Sequence, residues 1–597
     1  MKADLDTNVF SKITNFWKVF FENKGWSEQT SRIWESYQKY EKAEKKKQSK
    51  EKEKILKVHM EETEVWDWLN FFSETFLDQL KGPLPEPSKD HLIVIEEPYF
   101  QLKGQYCRTK STRRALQSIG KTQIDFLVKD IDLPKEGPAD WEKVKALGEF
   151  TISPGENQRK RNIVQLSRSV REVFCAQPLR RFLHGFCLFE EDFELWLFDR
   201  SGAYSSGPKN IVRNKKLFVR AISSYLLMSD EELGCDMSIL HHGEDKFVQF
   251  PKIGKDPGQS FEIKSNPIVQ PMRLITRGTT CYETKDKLKV IKYSWTSSEE
   301  NTEIDFLNIA KSVRGVVNCL ASEVIYETKS HLDDLNLLRA IPWDLRAANR
   351  FISRGIKLKG APMQCLKRNR RLIRIAMIPR GRSIYSGGSI LEFVAGIRDA
   401  IKGHEGLVAK EVLHGDVSEG NIILLNPSQE DDLHGMLIDL DHSVKMKGNL
   451  ALEDDRSLTG TMKFMALERL QHARDTGKSI GRTCRHDLES FFYVFIIGCI
   501  EYEDVSANEA NDLNDWCTND VKSNFKFKRD DIQNFDIEIL DRFTASFKGL
   551  KELAEKLRQI LFHDDGRYIE TPVDCGPLYS RMIKALDKTV EEIRGKI

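Results

Sequence analysis

The pattern of apolar and polar residues along the chain changes twice and so divides it into three regions. The first, residues 1–110, has aromatic and apolar stretches of helical character around Val9–Phe21 and Val65–Leu80. Between them, a run of lysines and glutamates starts at Glu41, and its mixed charge indicates a solvated helix or a disordered linker rather than a basic patch. We therefore expect an N-terminal helical region with a charged linker.

The second region, residues 111–250, has the pattern of an α/β module. QIDFLV from Gln123 and ALGEFTI from Ala146 predict two strands, and GFCLF followed by ELWLFDRSG predicts a hairpin. A helix is predicted between the second of these strands and the hairpin, because apolar residues recur there at helical spacing. Another helix is predicted over Leu217–Leu227. The stretch PKIGKDPGQS from Pro251 is polar and contains proline and glycine, which is typical of a linker.

The third region, residues 265–597, starts with predicted strands and becomes mostly helical beyond Ser389. Strands followed by helices indicate a two-lobed α+β domain, with a small lobe over 265–380 and a large lobe over 381–597. The most apolar run, Phe491–Ile500, is too short to cross a bilayer, which needs about 20 apolar residues. It predicts a helix buried on all sides.

A group of polar residues at strand ends in the third region carries the candidate chemistry. LHGDVSEGNIIL contains His414, Asp416 and Asn421, and GMLIDLDHS places Asp439 directly after a short apolar strand. Carboxylate and amide oxygens brought together by a hairpin would suit Mg²⁺ beside substrate phosphates. A further carboxylate can accept the proton of an attacking hydroxyl. These are the parts that phosphoryl transfer from ATP requires.

These motifs resemble the catalytic loop and metal-binding motif of protein kinases. The resemblance implies that Asp416 is the catalytic base, that His414 belongs to the same loop, and that Asn421 and Asp439 hold Mg²⁺. GTMKFMALE, which includes Thr461 and Glu468, resembles the end of a protein-kinase activation segment, with Leu467 in place of proline. By the same resemblance, Asp487 would accept hydrogen bonds from the backbone of the catalytic loop.

The small lobe carries weaker matches to the same pattern. VIK resembles the strand whose lysine contacts the α- and β-phosphates of ATP, which implies that role for Lys292. Its acidic partner would be Glu303 at the start of an apolar helix, or alternatively Glu300. Gly278 is the sole glycine of the stretch TRGTTCYE, where the usual phosphate loop has three.

A longer resemblance, from Gln123 to Gly498, is to the fungal-type protein kinase family. The strings that carry it include VREVFCAQPLRRFLHGF, LWLFDRSG, LLMSDEELG, ITRGTTCYE and HDLESFFYVF. The resemblance implies a bilobal protein-kinase-like fold, ATP and Mg²⁺ as cofactors, and phosphorylation of Ser or Thr in proteins.

Three positions, Gly415, Leu440 and Asp441, depart from the kinase pattern and keep alternatives open. Gly415 stands where most protein kinases have an arginine that binds a phosphate on the activation segment. The same His-Gly-Asp form occurs in aminoglycoside and choline kinase-like enzymes, which phosphorylate small molecules. Leu440 and Asp441 replace Phe and Gly after the metal-binding Asp439. A small-molecule phosphotransferase and a catalytically silent pseudokinase scaffold therefore remain as alternatives.

The second region also resembles, in its element order, the PD-(D/E)xK nuclease fold. Asp125 and Glu149 lie on neighbouring predicted strands, and Gln165 lies on the helix that follows. In that fold the two acids hold a metal ion and a lysine assists the nucleophile. Thr151 occupies the lysine position, so we expect no nuclease activity. Two ordinary strand-end acids are the alternative interpretation.

Composition adds limits on partners and on compartment. The net charge of +1 argues against nucleic acid as the main partner, and we expect no membrane span. None of the eleven cysteines forms a CxxC pair, which argues against a zinc site or a disulfide framework and for free thiols in an intracellular compartment. The protein substrate and the oligomeric state are not specified by the sequence.

Overall fold

The structure is a computed structural model. It describes residues 8–46, 61–77, 102–108, 124–135, 140–151, 155–189, 191–251, 258–297, 301–328, 341–342, 369–386, 388–426, 432–448, 450–451, 458, 460–501, 513–518, 520–570, 572 and 574–596. No helix within these ranges is both long and apolar enough to cross a membrane.

The described strands and helices follow one another along the whole chain. In chain order the strands are β1 (Val9–Ser11), β2 (Gly104–Arg108), β3 (Phe126–Asp130), β4 (Ala146–Thr151), β5 (Phe182–Phe189), β6 (Asp192–Asp199), β7 (Ala203–Ser205), β8 (Lys209–Asn210), β9 (Ile239–His242), β10 (Asp245–Phe250), β11 (Gln259–Ile263), β12 (Thr280–Glu283), β13 (Val290–Ser297), β14 (Asn318–Glu327), β15 (Ile341–Pro342), β16 (Arg370–Ile378), β17 (Arg382–Ser383), β18 (Val412–Leu413), β19 (Ile422–Leu424), β20 (Gly435–Leu437), β21 (Val444–Lys447) and β22 (Leu450–Ala451). The helices are α1 (Phe16–Phe21), α2 (Ser27–Lys46), α3 (Glu62–Phe76), α4 (Glu156–Ala176), α5 (Lys215–Leu227), α6 (Glu303–Ala310), α7 (Ile390–Val408), α8 (Leu467–Thr476), α9 (Cys484–Glu501), α10 (Val521–Gln533), α11 (Phe535–Glu538), α12 (Lys551–Leu561) and α13 (Gly576–Arg594). Short 3₁₀ turns lie at Trp141–Lys143, Glu419–Asn421, Leu440–His442, Met462–Phe464, Asn514–Cys517, Leu540–Arg542 and Ala545–Leu550.

The chain folds into two compact units. The N-terminal unit comprises Met1–Tyr282, Lys292–Glu299 and Glu323–Arg374, and the C-terminal unit comprises Glu283–Ile291, Glu300–Ser322 and Ile375–Ile597. The strands that follow the second region form a sheet in the order β12-β13-β16-β14. The mixed α+β class predicted from the sequence is confirmed.

A large mixed sheet forms the centre of the N-terminal unit. Its strands run in the order β15-β1-β7-β6-β5-β4-β3-β2, and β8 pairs with β6. The predicted hairpin is the antiparallel pair β5–β6, whereas β4 and β5 run parallel and are connected through α4. Strands buried on both faces require helices on both sides of the sheet.

Alternating residues of β6 show how the two faces of this sheet are covered. Leu195 and Leu197 face an aromatic-rich layer formed with α1, α2, α3 and α5, while Trp196 and Phe198 face α4. This alternation is the period of two expected for a strand. The helix predicted here is α4, and the apolar residues whose spacing predicted it are buried: Ile163, Val164, Leu166, Val170, Val173 and Phe174.

Two local predictions in this unit are wrong. Val9–Phe21 is not one helix, because Val9–Ser11 forms β1, which pairs in parallel with β7. A three-residue strand is specified by its partner strand, which lies far along the chain. The stretch from Pro251 is not a linker between domains, since β10 and β11 on either side of it pair antiparallel, with Phe250 opposite Gln259.

The C-terminal unit is built mainly from helices around α7 and α9. α7 packs against α13, against the hairpin β19–β20 and against α9. The apolar run Phe491–Ile500 lies in α9 and is buried throughout, as predicted.

The expectation that all cysteines are free thiols is wrong for one pair. Cys484, at the start of α9, forms a disulfide with Cys575, which caps α13. The two residues are 91 positions apart in sequence, so their proximity is a property of the tertiary fold that spacing alone does not reveal.

Candidate active site

The loop that follows β18 holds His414 in a fully buried position. Its Nε2 donates a hydrogen bond to the carbonyl of Ile438 (3.0 Å), and its Nδ1 accepts one from the backbone N–H of Asp416 (3.3 Å). Burial lowers the pKa of His414 below its ordinary value of 6.5, which favours the neutral ring that can donate at one nitrogen and accept at the other. His414 thereby fixes the start of the loop that follows β18.

A buried chain of hydrogen bonds anchors this loop. The backbone N–H of Gly415 donates to Oδ2 of Asp487 (2.8 Å), and the same oxygen is bonded to Nε2 of His404 (2.8 Å). Nδ1 of His404 is bonded in turn to the hydroxyl of Tyr579 (2.6 Å). Burial alone would raise the pKa of Asp487, but the bonds from His404 and Gly415 outweigh burial and lower it.

Asp416 is held through both its backbone carbonyl and its carboxylate. The side-chain amide of Asn421 donates to the Asp416 carbonyl (2.7 Å), and Oδ1 of Asp416 accepts from both the N–H (2.8 Å) and the hydroxyl (2.9 Å) of Thr461. Asp416 is only partly buried, whereas Asn421 is 8% exposed. Asp416 is therefore a positioned acceptor whose carboxylate reaches a partly open surface.

The hairpin β19–β20 brings Asn421 and Asp439 to the same end of two paired strands. Ile422 lies opposite Leu437, and the N–H of Ile438 donates to the carbonyl of Asn421 (3.0 Å). The residue before Ile422 and the residue after Ile438 are therefore close neighbours. The sequence anticipated this juxtaposition from two apolar runs, each flanked by a polar residue.

Three carboxylates converge at the end of β20. One oxygen each from Glu303, Asp439 and Asp441 lies within 4.8 Å of the others, which suits a metal ion. Glu303 also accepts a hydrogen bond from the N–H of Leu440 (3.2 Å). Three like charges this close repel one another, and a divalent cation would relieve that repulsion with the hard oxygen ligands that Mg²⁺ prefers.

The backbone of Asp439 is strained at this point. Its φ of 65° lies in the left-handed region that non-glycine residues seldom adopt, and its carboxylate accepts from the N–H of Asp441 (3.3 Å). Such strain persists where the surroundings determine the conformation, and it concentrates at functional sites.

Lys292 and Gly278 lie in the N-terminal unit. Lys292 is on β13 and only 3% exposed. Gly278 is buried with φ of +58°, and a Cβ there would lie 3.0 Å from Trp295 and 3.1 Å from Arg200. Gly278 therefore has a packing requirement that is independent of phosphate binding. Glu300, the alternative to Glu303, lies outside the described residues.

The segment Gly460–Glu468 ends against α9. Glu468 pairs with His486 (2.8 Å), and this bond lowers the pKa of the Glu468 carboxyl despite its partial burial. The N–H of Leu467 donates to Glu489 (2.7 Å), which also forms a fully buried ion pair with Arg485. The start of α8 is thus fixed to α9 at two points.

A comparison with protein-family models identifies the chain. Residues 123–499, more than half of the 597, match the model described as fungal protein kinase. The chain belongs to the fungal protein kinase family. No curated protein matches it. Among solved structures it is similar to the "Structure of vaccinia related kinase 3", at 13% identity and a TM-score of 0.32, over 60% of this chain and 90% of that chain.

Membership of the fungal protein kinase family agrees with the resemblance predicted from the sequence and makes the chain a kinase-like phosphotransferase. The match begins in the second region, so it covers strands and helices of the N-terminal unit as well as the motifs around Asp416 and Asp439.

In this member of the family, the two acids that matched the nuclease pattern lie together in the N-terminal unit. Oδ2 of Asp125 accepts from the N–H of Phe150 (2.8 Å), and Oε2 of Glu149 accepts from Gln165 (2.9 Å). Burial raises the pKa of Glu149 well above its ordinary value, and the charge of Asp125 adds to the effect. Thr151 follows on β4 where the nuclease pattern has lysine. The nuclease-like module is not confirmed by the family match.

Sequence reasoning missed three residues that hold the loop and the segment beside it. His404 and Tyr579 support Asp487, and neither has a local motif around it. Lys528 is fully buried and donates from Nζ to the carbonyls of Lys463 (2.8 Å) and Met465 (2.9 Å). Burial lowers the pKa of Lys528 to about 7. A lysine in a polar helix gives no sign in sequence that it is buried.

Proposed function

We propose that this chain is an ATP- and Mg²⁺-dependent protein kinase that phosphorylates Ser or Thr hydroxyls of protein substrates. The observation that carries the proposal is the carboxylate of Asp416, which accepts a hydrogen bond from the aliphatic hydroxyl of Thr461 (2.9 Å). An acceptor serine or threonine would present the same group to Asp416 as its general base. Asn421 would hold Asp416 in position through its bond to the Asp416 carbonyl.

The carboxylates at the end of β20 fit a magnesium ion. Glu303, Asp439 and Asp441 offer oxygens within 4.8 Å of one another, and the side-chain oxygen of Asn421 could join them. The ion, when bound, would neutralise charge on the phosphates of ATP. Lys292 would bind the α- and β-phosphates, a role that rests on its place in the kinase-like motif order.

A protein acceptor is favoured over a small molecule by the segment Gly460–Glu468. Thr461 at its start bonds to Asp416, and its end is fixed to α9 through Glu468 and Leu467. A segment held at both ends beside the proposed base offers a surface on which an extended peptide could lie. Gly415, which is shared with kinases of small molecules, is a single position and carries less weight.

The experiment is a transfer assay with purified full-length protein, labelled ATP and Mg²⁺. The acceptors are the protein itself, a generic basic protein, a generic acidic protein, an aminoglycoside and choline. Label should appear on serine or threonine, as found by phosphoamino-acid analysis, and EDTA should abolish it. Asp416→Asn and Asp439→Ala should each lower the rate about a hundredfold or more.

The matched control is Asp475→Asn, because Asp475 is a surface carboxylate paired with Arg474 in the same unit. The proposal fails if Asp416→Asn transfers phosphate as fast as the wild type. Label on choline or the aminoglycoside alone would favour the small-molecule enzyme. No transfer and no thermal shift with Mg²⁺ and ATP would favour the pseudokinase scaffold.

A further inference from the structure

Lys528 on α10 is bonded to the backbone of a short stretch of chain before α8. Its side chain is fully buried, and its Nζ donates to the carbonyls of Lys463 (2.8 Å) and Met465 (2.9 Å). The hydroxyl of Ser490 on α9 donates to the carbonyl between them, that of Phe464 (2.8 Å). Three consecutive carbonyls are therefore bonded to side chains of two different helices.

These carbonyls belong to a turn whose own hydrogen bonds do not use them. Met462–Phe464 is a 3₁₀ turn, in which the N–H of Phe464 donates to the carbonyl of Thr461 (3.0 Å) and the N–H of Met465 donates to that of Met462 (3.2 Å). A buried carbonyl that lacks a donor is costly. The conformation of this turn therefore depends on the donors that the two helices supply.

The surroundings of Lys528 suit a cation. Its Nζ lies 4.2 Å from the ring centre of Tyr493 and 4.9 Å from that of Trp516. Aromatic faces and carbonyl oxygens both attract a cation, so they offset part of the cost of burying an ammonium group. The charge of Glu489 also acts on Lys528, but Glu489 forms its own buried ion pair with Arg485. The hydrogen bonds of Lys528 are directed at the backbone of the turn.

The turn that Lys528 holds is connected to the proposed base. Thr461 lies two residues before Lys463, and its N–H and hydroxyl donate to Oδ1 of Asp416 (2.8 and 2.9 Å). With its carbonyls fixed to α9 and α10, the turn cannot move away from Asp416 unless those bonds break. The position of Thr461 beside Asp416 thus depends on a residue of another helix.

We propose that Lys528 is a positioning residue for phosphoryl transfer, which keeps the segment Gly460–Glu468 in place and Thr461 bonded to Asp416. The effect on transfer rests on the proposed function, whereas the effect on the segment requires no reaction. The residues proposed to bind ATP and Mg²⁺ lie outside this segment. Loss of the two lysine bonds should therefore impair the use of an acceptor and leave the affinity for ATP unchanged.

The first measurement is hydrogen exchange in the full-length protein, read at the N–H groups of Thr461, Phe464 and Met465. Each of these groups donates a hydrogen bond within the turn or to the proposed base. Lys528→Met keeps a long unbranched side chain but removes the charge and both bonds. Exchange at the three N–H groups should become about tenfold faster or more. No ATP or acceptor is present, so this result is independent of whether the chain transfers phosphate.

The second measurement is the kinetics of transfer from ATP to a protein acceptor in the presence of Mg²⁺. Lys528→Met should lower kcat about tenfold and leave the KM for ATP within about twofold of the wild-type value. Lys528→Gln keeps N–H donors on a shorter, neutral side chain and should fall between the two. A wild type without transfer would refute the proposed function alone, and hydrogen exchange then decides the role of Lys528.

Two control variants of α10 separate positioning from general stability. Lys526→Met changes an exposed lysine of the same helix and should match the wild type in both measurements. Ile532→Ala removes a fully buried apolar side chain, so it should lower the melting temperature. In its folded state, Ile532→Ala should keep the wild-type kcat and the wild-type exchange at Thr461.

Three results overturn the proposal. The first is a folded Lys528 variant whose three N–H groups exchange as slowly as those of the wild type. The second is a fall in kcat no larger than that of Ile532→Ala, in a wild type that does transfer phosphate. The third is a loss of folding in both Lys528→Met and Lys528→Gln, which would give the lysine a role in the whole unit rather than in this segment.

Discussion

The hydroxyl and the backbone N–H of Thr461 both donate to a single oxygen of Asp416, over 2.9 and 2.8 Å. The start of the segment Gly460–Glu468 is thus tied directly to the proposed catalytic base. Any displacement of this segment would change the position or the hydrogen bonding of the Asp416 carboxylate. The position of the Asp416 carboxylate is therefore coupled to the order of the segment.

The hydroxyl bond can be removed on its own. Thr461→Val keeps the side-chain size and the N–H donor but loses the hydroxyl, so we expect the transfer rate to fall about tenfold, as for a general base that is less well positioned. Thr461 is exposed, so the melting temperature should hardly change. Thr461→Ser restores the hydroxyl and should restore most of the rate. Equal rates for the valine variant and the wild type would contradict the coupling.

Gly415 should tolerate no side chain. Gly415→Ala adds a Cβ that would lie within 3 Å of Arg482 and His442, in a left-handed conformation. We expect a loss of about 2–4 kcal/mol of unfolding free energy, together with lower activity. Gly477→Ala is the control, because Gly477 has a similar φ of +69° with nothing near its Cβ position, and it should cost only about 1 kcal/mol. Similar costs at the two glycines would show that the clash at Gly415 is relieved.

The three carboxylates at the end of β20 should differ in their importance for Mg²⁺. Asp439→Asn should abolish transfer, while Asp441→Asn should raise the Mg²⁺ concentration for half-maximal rate several-fold, because one oxygen ligand of the cluster becomes a neutral amide. The measurement is the rate as a function of Mg²⁺ concentration. An unchanged Mg²⁺ requirement in Asp441→Asn would remove Asp441 from the metal site.

The buried chain from Tyr579 to Asp487 should contribute to stability in steps. His404→Leu leaves the Asp487 carboxylate buried with fewer donors, so we expect a loss of about 3 kcal/mol or more. Tyr579→Phe removes only the outer bond and should cost about 1 kcal/mol. Tyr568→Phe serves as the control, and unfolding followed by intrinsic fluorescence is the measurement. A larger loss for Tyr579→Phe than for His404→Leu would contradict the stated order.

Acid should destabilise the protein in two ranges. The pKa of His414 is lower in the folded state than in the unfolded state, so unfolded chains take up the proton first and stability falls as the pH drops below about 6.5. The pKa values of Asp487 and Glu468 are also lowered, so their contribution is present above about pH 4 and lost below it. Melting temperatures of the wild type and of His414→Gln from pH 8 to pH 3 test this, because the comparison cancels groups such as Glu149, whose raised pKa acts in the opposite direction. A wild type that loses no more stability than His414→Gln between pH 7 and pH 5 would contradict it.

Much of the fold was predictable because its signals are local. The hairpin β5–β6, the helix α4 and the buried run in α9 each show a clear hydrophobic pattern in a short window. The polar residues at the ends of β19 and β20 were predictable for the same reason. Their juxtaposition follows from a hairpin whose two strands are close in sequence.

What the sequence did not reveal depends on contacts between distant residues. The strand β1, the disulfide between Cys484 and Cys575, and the buried Lys528 all require partners far along the chain. Arg482 was missed because it lies against Gly415 only in the folded chain. Sequence shows that a side chain is absent at Gly415 but does not show which residue fills the space.

The link from Tyr579 through His404 to Asp487 has a consequence for how the protein is made. The loop after β18 lies near residue 415, yet the outermost residue that supports its anchor, Tyr579, is on α13. During synthesis, the loop reaches the exit of the ribosome long before that helix does. Its final hydrogen bonds therefore form only after Tyr579 has left the ribosome, so the support of this loop is completed close to the end of synthesis.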